Sequence, residues 1–201
     1  MSIKIPSSLV LVEGEKPYWY GRRSVKSVLG SIITGLILLL FLGLPMIAIG
    51  SFFVVIGLIF IIIAIILLLR AILAVMSSEY FVSSHRIFVK YGIISRRIFE
   101  IRNEWVTSVG VRQGVIGRLL NYGDVIISVP GHYLGTVAMF GVSDPLHVKA
   151  IVDDVLRRFR EALKIQEELR ILEREYTYGR IPKEKYEELK KKYEEELKKM
   201  L

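Results

Sequence analysis

The three histidines, His85, His132 and His147, are the side chains best suited to proton transfer or metal ligation near neutral pH. None has a ligand three or four residues further on, and there is no HExxH pair. A metal site would therefore need the fold to gather distant residues. Ser83 and Ser84 beside His85 suggest a nucleophile and its base. On a strand, however, adjacent side chains point to opposite faces, so the three read as sheet residues. Gly110, Gly114 and Gly117 lie among strands and turns, not at a strand–helix junction, and no P-loop or GxGxxG is present. There is no cysteine, which removes disulfides and Cys-based zinc sites. These residues point to no reaction and no cofactor, and the expectation is a non-catalytic protein.

Charge is more informative. Of the formal net charge of +8, residues 1–27 carry +3 and residues 77–150 another +3. Arg86, Lys90, Arg96, Arg97, Arg102 and Arg112 crowd one region. Near an anionic leaflet each such residue is worth about 1 kcal/mol. Arg86, Lys90, Arg96 and Arg97, with Ile93 and Ile94, are thus candidate membrane-surface residues. The turn around Gly92 would face anionic headgroups while Ile93 and Ile94 dip into the interface. The alternative is ordinary positive-inside charge with no specific lipid. The modest charge and the restricted access at a membrane argue against nucleic acid.

What must position these residues is the stretch Val28–Val75, apolar nearly throughout and holding one charge, Arg70. Apolar residues make up 52% of the chain, and the mean hydropathy is +0.45. The run exceeds the roughly 20 residues of one span, so it must fold back. Gly43-Leu44-Pro45 is the expected break, with Gly50-Ser51 the second choice. Two transmembrane helices follow, about residues 25–43 and 46–76. Arg70 near the end of the second can snorkel to the interface. Arg22, Arg23 and Lys26 flank the start of the first span, Arg70, Arg86 and Lys90 lie at or beyond the end of the second, and the connecting loop is uncharged. The positive-inside rule then places both termini in the cytoplasm of a multi-pass plasma-membrane protein. The lead before the hairpin is too long for a signal peptide. Its Tyr18, Trp19 and Tyr20 either form an interfacial aromatic belt or pack on the soluble domain. Ser27, Ser31 and Gly35 recur every fourth residue, and Gly50, Gly57, Ala64 and Ala71 every seventh. Such spacings let helices approach closely in lipid, within the hairpin or between copies.

After Ser77-Ser78 the pattern changes. Short β-branched and aromatic runs at 79–82, 86–91, 96–101, 105–111, 125–129 and 136–140 predict strands, separated by turn residues. From Pro145 the apolar positions Val148, Ile151, Val152, Val155, Leu156, Phe159 and Leu163 follow helical spacing, with Asp144 as cap. Strands followed by one amphipathic helix imply an α+β unit with the helix covering the sheet.

Residues 79–155 resemble the bacterial pleckstrin-homology-like (PH-like) domain. The resemblance rests on Tyr80-Phe81-Val82-Ser83-Ser84-His85-Arg86-Ile87, Tyr91-Gly92, Glu100-Ile101 and Val109-Gly110-Val111-Arg112-Gln113. It continues through Gly117-Arg118-Leu119-Leu120-Asn121-Tyr122-Gly123 and Val142-Ser143-Asp144-Pro145. Ser83 stands where that family usually has Thr. The resemblance implies a PH-like roll, an antiparallel β-sandwich capped by a helix, with structural motifs and no catalytic residue.

The tail from Val152 holds thirteen acidic and fourteen basic residues. Ile165, Leu169, Leu172 and Tyr176 continue the helical stripe, and Tyr178-Gly179-Arg180-Ile181-Pro182 interrupts it. Tyr186, Leu189, Tyr193, Leu197 and Met200 then begin a second stripe. Leu172-Glu173-Arg174-Glu175 and Gly179-Arg180-Ile181-Pro182-Lys183-Glu184-Lys185-Tyr186 resemble the short C-terminal domain (SHOCT) family. That resemblance implies an oligomerisation or contact module; a solvated helical extension is the alternative.

The expected organisation is a lead over 1–24, a two-helix transmembrane hairpin over 25–77, a PH-like domain over 78–165 and a helical-hairpin tail over 166–201. The expected role is a membrane-tethered scaffold or adaptor. It would bind protein partners or the inner membrane surface and form a homo-oligomer or engage a partner through its C-terminal helices. The opposing reading is an oligomeric channel or transporter, for which Ser31, Thr34 and Arg70 are the polar residues on offer.

Overall fold

The computed structural model describes residues 1–201 apart from 1, 2, 4, 7, 8, 51, 93–95, 132–134 and 201. Strands β1 (Pro17–Arg22), β2 (Glu79–Ser83), β3 (Arg86–Tyr91) and β4 (Arg97–Arg102) pair in that order as one antiparallel sheet. Strands β5 (Ser108–Arg112), β6 (Tyr122–Ser128) and β7 (Thr136–Ser143) form the second. Strand β6, at the centre of the second sheet, shows the two-residue period of a strand with one buried face. In β6, Gly123, Val125 and Ile127 are buried and the residues between them are not. The core lies between the sheets, with Tyr80, Val82, Ile87 and Val89 on one side and Val125, Ile127, Val137 and Met139 on the other.

The lead belongs to this fold. β1 pairs with β2 through Tyr20↔Phe81 and Arg22↔Glu79. All five residues of β2 are buried, because both faces of the strand are covered. Tyr80 and Val82 face the inter-sheet core, whereas Phe81 and Phe88 pack under Leu9, Leu11 and Tyr20. Of the two readings of the aromatic triplet, the chain adopts packing on the domain: Tyr18 and Trp19 lie against the main core and Tyr20 against the Phe81 cluster. The expected strand over 105–111 begins only at Ser108, because Asn103–Trp105 form a 3-10 turn. Asn103 Nδ2 fastens that turn to the carbonyls of Ser83 and Ser84 at 3.2 and 2.9 Å.

Two apolar helices occupy the connection between β1 and β2. Helix α1 runs Val25–Ile49 and α2 runs Phe53–Met76, with mean hydropathies of 2.7 and 3.2. Only 11% of an 18-residue apolar stretch in each is buried, so these are not core helices of the roll. The break lies at Gly50, not at Gly43–Pro45. Pro45 stays inside α1 because the backbone widens before it: Leu38–Gly43 form a π turn, and Leu44 N–H donates to Leu39 O. Such a turn gives a proline ring room that regular α-helix denies it. Gly50 has φ +80° and ψ −174°, a conformation open in practice only to glycine, and it ends the helix.

After β5 a short helix α3 (Val115–Leu119) leads into β6. Helix α4 (Pro145–Thr177) then closes the sandwich with Val148, Val152, Val155 and Leu156. Its Asp144 cap accepts from His147 N–H at 3.4 Å. α4 continues without interruption past the boundary expected at 165/166. Beyond the roll its buried residues Ile165 and Leu172 lie under α5 (Lys183–Met200), which folds back along it. The turn is a complete Schellman motif: Gly179 N–H donates to Tyr176 O at 2.9 Å and Arg180 N–H to Glu175 O at 3.0 Å.

Candidate functional site: a basic cleft at the foot of the helical hairpin

Strand β1 ends two residues before α1, and α2 ends two residues before β2. The hairpin therefore grows from two paired, adjacent strands, and its foot is fixed against the roll. Ser24 N–H donates to Gly141 O at 2.8 Å, and the Ser27 hydroxyl accepts from Arg23 Nε at 3.0 Å. A Cβ on Gly141 would come within 2.4 Å of Ser27 Oγ, so Ser27 packs on β7 and not on the facing helix.

Beside this foot a cleft of about 720 Å³ opens between the edges of the two sheets. Its floor is aromatic: Tyr91 lies between Phe99, at 6.0 Å between ring centroids, and Phe140, at 5.6 Å. The Tyr91 hydroxyl donates to Ala138 O. Burial pushes the Tyr91 hydroxyl pKa well up, and it pushes that of Tyr80, whose hydroxyl donates to Phe140 O at 2.8 Å, up to about 12. Both phenols are neutral scaffolding at physiological pH.

Arg23, Arg97 and Arg112 line the walls, with Ala74, Ser77 and Ser78 from the end of α2. Arg112 pairs with Asp124 at 3.0 Å, and the same carboxylate accepts Gly141 N–H at 2.9 Å. Arg97 is exposed and has no acidic partner among the described residues. Guanidinium groups recognise phosphate and carboxylate oxygens through paired N–H donors. The cleft can thus hold an anionic group on its rim and an apolar flank on its floor.

The sequence-based candidates separate. Arg97 lines the cleft and Arg96 is exposed beside it. Arg86 and Lys90, also candidates for the membrane surface, are held in ion pairs. Arg86 meets Glu15 at 2.9 Å and Glu100 at 2.8 Å, and Lys90 meets Glu79 at 2.9 Å. Burial alone would raise the Glu15 pKa, but hydrogen bonds from Arg86, Ser83 and Val12 N–H outweigh it and hold the carboxyl below its usual range. For Glu79, burial is likewise outweighed, by Lys90 and then Arg22. Ile93 and Ile94 lie outside the described residues, as does His132.

Of the small residues, Gly35, Gly57, Ala64 and Ala71 are buried within the hairpin. Gly43, absent from the expected set, joins them, and its carbonyl would lie 2.8 Å from a Cβ on Gly57. Ser31 is exposed, one turn before Gly35, and Gly50 ends α1 at the loop. Arg70 is exposed near the end of α2. Ser83 is buried with its hydroxyl committed to Glu15 at 2.6 Å and Arg86 O at 2.9 Å, and Ser84 Oγ lies 2.7 Å from His85 Nδ1 on the surface.

Sequence reasoning grouped Arg112 with Arg97 but missed Arg23 as a third cation of the cleft. The available signal was the alternation of Arg97 and Phe99 on one strand, which turns a cation and a ring to the same side.

A four-stranded and a three-stranded antiparallel sheet, closed by a C-terminal helix and carrying an apolar hairpin in the first strand connection, define a PH-like roll of α+β class. Residues 25–164 match the Bacterial PH domain family, and the chain belongs to it. The matched region takes in both apolar helices and every strand except β1. No curated protein and no solved structure matches the chain.

Proposed function

We propose that this chain is a two-span membrane protein that holds its PH-like roll against the inner membrane surface as a non-catalytic adaptor or scaffold. The observation that carries this reading is the position of the hairpin between β1 and β2. Two short linkers and a paired strand leave the roll no freedom to swing away from the bilayer. The helices, about 37 and 36 Å long at 1.5 Å per residue, suffice for a hydrocarbon core of roughly 30 Å. The bias of Lys and Arg to the hairpin's foot favours both termini in the cytoplasm. The cleft then opens at headgroup level, and Arg23, Arg97 and Arg112 suit an anionic phospholipid head.

The tail supplies a second contact surface. A helix, a glycine turn and a Glu/Lys-rich helix fit the SHOCT-like expectation, and Leu163 and Ile171 stay exposed on α4 for a second copy or a protein partner. The test uses the full chain in nanodiscs of mixed phosphatidylglycerol and phosphatidylcholine. Native mass spectrometry should find phosphatidylglycerol retained in preference, and Arg97→Gln with Arg112→Gln should lower that retention several-fold. Equal retention of both lipids by the unmodified chain would remove the headgroup from this proposal.

A further inference from the structure

Helix α3 carries three neighbouring apolar side chains that the protein leaves uncovered: Val115 is 89% exposed, Ile116 64% and Leu119 85%. At 3.6 residues per turn these three share one face, and Gly117 falls on the opposite one. Gly117 is buried, and a Cβ there would sit 2.7 Å from the Tyr122 carbonyl. The close approach of that backbone turns the apolar face outward. The presentation is rigid as well. Arg118 N–H donates to Gly114 O and Leu120 N–H to Ile116 O, both at 3.0 Å, and Gln113 Nε2 donates to Tyr122 O at 3.1 Å.

The location of α3 gives this face its meaning. Lys26, in the first turn of α1, donates its ammonium to Leu120 O at 3.1 Å. The C-terminal end of α3 is thereby held beside the point where the chain enters the apolar hairpin. Arg118 is exposed on α3 itself, and Arg112 lies just before it. An apolar face flanked by cations, next to the end of an apolar helix, is the composition of a segment that lies in a membrane interface.

We infer that α3 is an interfacial wedge. Val115, Ile116 and Leu119 insert among the lipids of the leaflet that the hairpin enters, while Lys26, Arg112 and Arg118 meet their phosphates. The inference rests on the membrane tether proposed above. It names lipid as the occupant because the Lys26–Leu120 hydrogen bond holds the end of α3 at the first turn of α1, whose exposed apolar side chains would place a soluble partner against bilayer. A wedge of this kind gives the roll a third attachment, beside the two strands that feed the hairpin, and so fixes its rotation over the membrane.

The chain has no cysteine, so single labels can be placed in the full-length protein. Leu119→Cys, and separately Val115→Cys, would carry an environment-sensitive fluorophore in vesicles of phosphatidylglycerol and phosphatidylethanolamine. Glu188→Cys on α5 serves as the water-exposed reference and Leu40→Cys in α1 as the lipid reference. At both α3 positions, quenching by iodide should be several-fold weaker than at Glu188, and nitroxide-labelled lipid should quench the signal. Iodide quenching equal to that at Glu188 overturns the wedge. So does shielding that disappears as protein is diluted in lipid, because a second copy would then be the cover. Lipid quenching at Leu40 without any at α3 sinks the wedge alone, whereas its absence at Leu40 sinks the tether too.

Discussion

The guanidinium of Arg86 lies 2.9 Å from the carboxylate of Glu15, joining residues 71 apart in the chain, and the Glu15 side chain is fully buried. Arg86 also donates to Val10 O at 2.6 Å, and Glu15 accepts from Val12 N–H at 2.9 Å. One long-range ion pair, between β3 and the segment before β1, thus fastens the N-terminal lead over Phe81 and Phe88. Removing the cation should cost more than removing the anion, because a buried carboxylate would be stranded. Arg86→Ala is expected to lower stability by about 3–5 kcal/mol and Glu15→Gln by less. Unfolding of the detergent-solubilised chain reads both; an Arg86→Ala midpoint equal to the parent's would contradict the clamp.

The same pair sets a pH dependence. The Glu15 pKa in the folded chain lies below its ordinary value of 4.5. A depressed carboxyl contributes stability that is present above the unfolded value and is lost as pH falls through the folded one. The clamp should therefore hold from neutral pH down to about 5 and loosen only below 4.5. Hydrogen exchange at Val12 N–H should stay slow to pH 5 and, once corrected for intrinsic rates, speed up in stronger acid. Opening already at pH 6 would assign the clamp to some other group.

The roll and the helices were legible where burial is one-sided. The two-residue period of β6 and the 3- and 4-residue steps of α4 follow directly from which face meets the core. β1 was not legible, because Tyr18-Trp19-Tyr20 suits a membrane belt and packing on the domain equally well. The fate of Lys90 was recoverable in principle: Glu79 and Lys90 are direct cross-strand neighbours once the hairpin register is known. That of Arg86 was not, since nothing local marks Glu15 as its partner. Pro45 misled because the π turn that accommodates it has no sequence signature of its own.

The seam of the apolar hairpin distinguishes tight from open glycines. A side chain at Gly57 would meet Gly43 O at 2.8 Å and Ile47 Cγ1 at 2.9 Å, both across the helix pair, whereas Gly30 has open space around it. Gly57→Val should cost about 1–3 kcal/mol by forcing the helices apart. Gly30→Ala should be neutral or stabilise by up to about 1 kcal/mol, since alanine is the better helix former. Thermal denaturation in one detergent ranks the two. Equal destabilisation would mean that α1 and α2 do not pack along this face.

The tail offers the sharpest local test, because one residue holds its two helices together. Gly179 has φ +71°, and its turn brings Tyr176 and Tyr186 into a stack with ring centroids 4.3 Å apart. Arg180 pairs with Glu175 across the same turn at 2.9 Å. A β-branched residue at Gly179 would pay at least the roughly 1–2 kcal/mol that the left-handed region costs an L-residue. Helix α5, eighteen residues rich in Glu and Lys, is marginal without a partner helix, since isolated helices of this length gain little from propensity alone. Gly179→Val should therefore raise amide exchange throughout α5 and uncover Ile165 and Leu172, while exchange in β2, β3 and β6 stays unchanged. Protection of α5 equal to the parent's would show that this helix is held by something other than its turn and its packing on α4.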